Sequence, residues 1–125
     1  MNHILKKYCP RIEFDSYEDF YENFKIDVPE AFNFGFDVVD EWARVEPEKR
    51  ALVWCDDRDE ERTFTFADLS RLSNQAANAF AKLGIGKGDV VMMILRRRWE
   101  YWVCAVALCK LGATIIPASL QLTKK

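Results

Sequence analysis

Histidine is almost missing from this sequence: His3 is the only one among 125 residues, and it sits where a mobile terminus is expected. That scarcity argues against zinc sites built from histidines and against a Ser-His-Asp triad within the chain. No Cys-x-x-Cys pair occurs among Cys9, Cys55, Cys104 and Cys109. Their scatter predicts reduced core residues, which fits a cytosolic protein. Basic charge is not in excess, with 18 Lys and Arg against 20 Asp and Glu. Nothing therefore predicts a nucleic-acid partner, which would need surplus cations to neutralise phosphates. No signal-peptide pattern opens the chain, and the longest apolar run, Tyr101 to Cys109, is too short to span a bilayer.

What is present is core material. Half of the residues are hydrophobic and 14% are aromatic, so disorder is not expected over most of the chain. The first 33 residues read as an arm crowded with aromatics and broken by Pro10 and Pro29. Within it, Ser16 to Lys25 predicts a short helix opened by a Ser16-x-x-Asp19 capping box. This arm is expected to lie across a larger body, being unable to enclose its own aromatics.

Residues 34–125 carry the stronger signals. Phe36 to Glu46 has apolar residues at helical spacing, and Pro47 ends it. Ala51–Cys55 and Arg62–Phe66 predict two short strands joined by the acidic turn 56–61. A helix follows, capped by Thr65 with Asp68, with Phe64 set to staple against Leu69. Its apolar stripe is Leu69, Leu72, Ala76, Phe80 and Leu83, and Gly84 supplies the left-handed stop. Val90 to Leu95 is six apolar residues without alternation, the pattern of a parallel strand covered on both faces. Trp99 to Leu111 predicts a helix apolar almost all round, and Ala113 to Pro117 a further strand. The expected class is α/β: a partial doubly wound, mostly parallel sheet flanked by helices and preceded by the aromatic arm. Thr123 reads as the cap of a further helix, so the chain is expected to be the truncated first part of a larger domain.

Few motifs carry chemistry. Gly84-Ile85-Gly86-Lys87-Gly88-Asp89 follows a helix and precedes a strand, the reverse of a dinucleotide fingerprint, and predicts a cap and tight turn. Asp56 to Glu61 lacks the mid-loop glycine and terminal Glu of a calcium loop and predicts a hairpin turn. Arg96, Arg97 and Arg98 follow a predicted parallel strand, where ligands of open α/β sheets bind. They are candidate anion-binding residues, the other reading being a solvated basic loop. Trp99, Tyr101 and Trp102 are expected in the core rather than in an acyl pocket. No nucleophile with a base, paired carboxylates or metal cluster can be assembled, so no catalytic or metal-binding residue is assigned.

Several ordered segments carry a resemblance. Phe36-Asp37-Val38-Val39-Asp40-Glu41-Trp42-Ala43, Ala51-Leu52-Val53-Trp54 and Thr63-Phe64-Thr65-Phe66-Ala67-Asp68-Leu69 come first. Asn74-Gln75-Ala76-Ala77-Asn78, Leu83-Gly84-Ile85-Gly86-Lys87-Gly88-Asp89-Val90-Val91, Trp99-Glu100-Tyr101-Trp102 and Lys110-Leu111-Gly112-Ala113-Thr114-Ile115-Ile116-Pro117-Ala118 follow. Over about ninety residues this order resembles the start of the AMP-forming acyl-CoA synthetases, the adenylate-forming ligases, in their medium-chain and acetyl-CoA synthetase-like branch.

The resemblance implies a parent enzyme that uses ATP, Mg and coenzyme A to convert a short- or medium-chain acid to acyl-CoA through an acyl-adenylate. Its reactive motifs are a Ser/Thr/Gly-rich phosphate loop ending in Pro-Lys, an acidic ribose ligand and a lysine in a mobile C-terminal domain. None occurs in these 125 residues, so residues 34–125 are expected to be scaffold that binds no cofactor alone. Pro117-Ala118-Ser119 resembles the place where some members bring a glycine-rich turn near coenzyme A. This makes Ala118 and Ser119 the candidate contacts on that side, although the glycines are absent here. The expected partners are the remainder of the parent enzyme and further copies of the chain, met through apolar surface or a strand edge. The rival reading is a self-standing α/β interaction module without catalysis.

Overall fold

The computed structural model describes residues 3–122, which fall into two compact units, one ending at Phe32 and the other starting at Asn33. The expected helix cap at Thr123 lies outside the described residues.

The first unit holds α1 (His3–Tyr8) and α2 (Tyr17–Asn23). The sequence reading does not anticipate α1, which begins where a mobile terminus is expected. The cap of α2 forms as read, with the Asp19 backbone N–H donating to Ser16 Oγ at 3.1 Å. Asp19 also accepts from Arg11 Nη1 at 2.7 Å, so this carboxylate ties the incoming chain to the helix. The aromatics are partly enclosed by one another, contrary to expectation: Phe14 meets Phe20 edge-on at 5.3 Å, and Phe20 stacks on Phe24 at 4.9 Å. Tyr17 and Tyr21 remain open to solvent.

The second unit begins with a π-helical turn, Gly35–Asp40, that runs into α3 (Glu41–Val45). The sequence periodicity gives one continuous helix here; the wider first turn passes against a residue seventy-five positions away. At Gly35 a Cβ would collide with the stem of Lys110, so only glycine lets the chain pass. β1 (Arg50–Cys55) and β2 (Glu61–Thr65) form an antiparallel hairpin. Its turn is held by Asp56 Oδ1, which accepts from the N–H groups of Arg58 and Glu60 at 2.9 and 3.0 Å.

Helix α4 (Phe66–Lys82) carries the full capping box at Thr65 and Asp68. It ends as a Schellman turn: Gly84 has φ of 86°, and the Ile85 N–H donates to the Phe80 carbonyl at 3.1 Å. β3 (Val90–Met93), α5 (Glu100–Leu111) and β4 (Thr114–Pro117) complete the unit, with β3 and β4 paired in parallel. The class is α/β. Among the described residues the strands make two two-stranded pieces rather than one sheet.

The core lies where the π-helical turn, α4 and α5 meet, around Val39, Leu69, Val103 and Val106. The apolar stripe read from α4 is only half right. Its buried line is Leu69, Ser73 and Ala77, whereas Leu83 is 77% exposed. Close packing of α4 on α5 needs small side chains at the contact, and residue size is not what a hydrophobicity pattern reports. Strand β3 is likewise covered on one face only. Met93 is buried, but Val90, Met92 and Ile116 are exposed, so the predicted double coverage is not reached among the described residues. Cys9 is buried, Cys104 and Cys109 are half-buried with thiols pushed up by desolvation, and Cys55 is exposed rather than in the core.

Candidate functional site

Parallel pairing decides where the site lies. Met93 sits opposite Pro117, and the Ala118 N–H extends the ladder to the Met93 carbonyl at 3.0 Å. Both chains therefore leave the sheet at the same carboxyl edge, one as residues 94–99 and the other as residues 118–122. The two sets of candidate residues, Arg96–Arg98 and Ala118–Ser119, are thus brought to one edge of the fold. Ser119 Oγ accepts from the Gln121 N–H at 3.1 Å, and neither Ala118 nor Ser119 lines the groove beside the arginines.

The arginine loop is fixed from below by a residue the sequence reading leaves unassigned. Trp54 is buried, and its indole Nε1–H donates to the Arg97 carbonyl at 2.6 Å. A buried indole N–H needs a partner, yet nothing along the chain indicates that it lies 43 positions away. Arg98 is committed locally. Its guanidinium donates to both Glu100 oxygens at 2.9 and 3.2 Å and lies over the Trp54 ring at 5.8 Å. Hydrogen bonding to Glu100 raises the Arg98 pKa above its ordinary value, and the same bond lowers that of Glu100. Arg96 and Arg97 are exposed and form no ion pair among the described residues.

Two connected hollows open around this loop, sharing Trp54, Cys55 and the three arginines. One of about 440 Å³ is walled by Val53, Leu95, Tyr101 and Trp102. The other, of about 580 Å³, is walled by Asp56, Asp57 and Arg58. Trp99 packs on Phe64 at 5.0 Å and against the core, as expected. Trp102 is 53% exposed and belongs to the groove wall, which corrects its assignment to the core. It stands edge-on to Tyr101 at 5.4 Å.

A second polar cluster went unread in the sequence. Lys110 has a side chain only 2% exposed, and its Nζ donates to Asp40 Oδ1 and Asn74 Oδ1, both at 2.7 Å. Ser70 Oγ donates to the same Asp40 oxygen at 2.6 Å. Asp40, Ser70, Asn74 and Lys110 thus meet at one point, so the cluster acts as a structural clasp joining the π-helical turn, α4 and α5.

Nucleotide phosphate finds no cradle in the glycine turn. The Gly86 N–H donates to Asp89 Oδ2 at 2.8 Å, and the Gly88 N–H to the Gly112 carbonyl at 3.0 Å. Donors already engaged in this way do not fit the phosphates of ATP. The turn is a cap and connector.

A family described as AMP-binding enzyme matches residues 39–125. The chain belongs to the AMP-binding enzyme family. It is 37% identical over 118 residues to mouse acyl-coenzyme A synthetase ACSM3, mitochondrial, covering 90% of this chain and 20% of that protein. Among solved structures it is similar to a Mycobacterium tuberculosis fatty acyl CoA synthetase, with TM-score 0.64 and 30% identity over 72% of this chain and 17% of that one. The Klebsiella oxytoca NpsA N-terminal subdomain matches with TM-score 0.62 and 25% identity, over 70% and 22% of the two chains. The chain thus spans about a fifth of the length of the curated relatives it matches. No helix among the described residues is long and apolar enough to cross a membrane.

Proposed function

We propose that this chain is the opening scaffold of an acyl-CoA synthetase. Its complete form would join a short- or medium-chain carboxylic acid to ATP, release pyrophosphate and pass the acyl-adenylate to coenzyme A. Residues 1–33 are the arm and residues 34–125 the first part of the large N-terminal domain. The observation that carries this reading is the open face of the β3–β4 pair. Val90, Met92 and Ile116 form an apolar surface that needs a cover, in a chain one fifth as long as its relatives.

On this reading the 125 residues hold no reacting group and do not by themselves assemble the family's sites for ATP, Mg or coenzyme A. The reactive motifs belong to the remainder of the enzyme, which is the chief partner. Ala118 and Ser119 stay assigned to the coenzyme A side of that assembled enzyme. The compartment is a reducing one, in keeping with four free cysteines; the cytosol was the expectation, and the curated relative is named as mitochondrial.

Purified chain supplied with ATP, Mg, coenzyme A and acids of graded length should release no pyrophosphate or acyl-CoA. Turnover above a protein-free control would end the scaffold reading. The open face should also drive self-association, visible in sedimentation at tens of micromolar; a strictly monomeric species would count against it. The rival, a non-catalytic interaction module, gains ground if the coding sequence stops after Lys125. It falls if the reading frame continues into a Gly-rich phosphate loop.

A further inference from the structure

We propose that the groove around the arginine loop binds an organic phosphate: a doubly charged phosphate group carried on a flat or apolar body. Charge is the first ground. The chain as a whole is acidic, at −2, yet the polar half of the groove is lined by four arginines, Arg58 and Arg96–Arg98, against two aspartates. Asp56 keeps its negative charge but is tied to its own turn, where its Oδ1 accepts two backbone N–H groups. That leaves Arg96 and Arg97 without an ion pair among the described residues, beside an Arg98 already held by Glu100. A carboxylate is satisfied by one guanidinium fork, whereas two free forks in adjacent positions suit the greater charge and extra oxygens of a phosphate.

Preorganisation is the second ground. The Trp54 indole clamps the Arg97 carbonyl at 2.6 Å, so the loop backbone is set before any ligand arrives. The third ground is the neighbouring hollow. Val53, Leu95, Tyr101 and Trp102 give the same arginines an apolar and aromatic wall over about 440 Å³. Inorganic phosphate would leave that wall bare, while an aromatic phosphate would use both halves. Such binding is separable from acid activation, since it needs only these side chains.

The test is calorimetric titration of the chain at low salt with three probes: phenyl phosphate, inorganic phosphate and phenol. Phenyl phosphate should bind at least about tenfold more tightly than either of the others and weaken as salt rises. Arg96→Ala with Arg97→Ala should reduce its affinity about tenfold or more, whereas Arg98→Gln should cost less than about threefold because Glu100 already occupies that fork. Both positions are exposed, and far-UV circular dichroism will check the fold. Should the double alanine variant misfold, Arg96→Lys with Arg97→Lys keeps charge without the fork and should still lose several-fold. Equal affinity for phenyl phosphate and inorganic phosphate would remove the apolar half of the proposal. Unchanged affinity in the double variant would remove the site.

Discussion

Two cationic regions of this molecule are built to opposite rules. Lys110 is sealed between the π-helical turn, α4 and α5, and its ammonium is met by Asp40 and Asn74 at 2.7 Å each. Arg96 and Arg97 stand in the open at the carboxyl edge of β3, above a backbone held by Trp54. A buried charge must be matched by its own fold, because desolvation would otherwise expel it. An exposed charge needs no internal partner, so it can remain free for something outside. The difference teaches that local pairing, rather than the mere presence of a cation, separates a charge the fold has used from one it leaves available.

The comparison can be broken most directly at Lys110. Replacing Lys110 with Met, or Asp40 with Asn, should lower unfolding stability by about 3 kcal/mol, since each leaves a partner uncompensated. Urea unfolding of the purified chain reads this out, and a loss below about 1 kcal/mol would show the clasp to be incidental. Gly35→Ala attacks the same region sterically. The added methyl meets the Lys110 stem and should cost about 1–3 kcal/mol, again by urea midpoint.

Smaller effects are expected where groups remain wet. Thr65→Ala should cost about 1 kcal/mol through loss of the α4 cap. Its partner Asp68 is held below its ordinary value first by the Thr65 backbone N–H and then by Arg71. A depressed native pKa stabilises above the unfolded value and is lost as pH falls through the native one. Asp19 and Asp56, lowered chiefly by backbone N–H donors, act in the same sense. The urea midpoint should therefore hold steady from neutral pH to the ordinary carboxylate range and drop below about pH 4. Asp68→Asn should flatten that drop. The smallest change belongs to the arginine loop: Arg96→Ala and Arg97→Ala should each move stability by less than about 0.5 kcal/mol. A large loss there would erase the contrast between the two regions.

Much of the fold was legible residue by residue. Ser16, Thr65, Gly84 and Gly112 mark helix ends where the structure has them, because caps are local hydrogen-bonding problems solved within a few residues. The arginine loop was legible as a cation cluster after a strand, but its anchor was not, since Trp54 and Arg97 are remote in sequence. Trp102 was misread as core for a related reason. An almost wholly apolar helix does not say which side its neighbours will cover.

The amino-acid order alone determined most of the elements after α1, their caps, the α/β class and the family likeness, all carried by short-range patterns. Tertiary structure decided the rest: the clasp at Lys110, the small-residue seam between α4 and α5, and the meeting of residues 94–99 with residues 118–122 at one sheet edge. Each depends on groups far apart in the chain whose partnership is set by packing and parallel pairing. Such partnerships leave no periodic trace in the sequence.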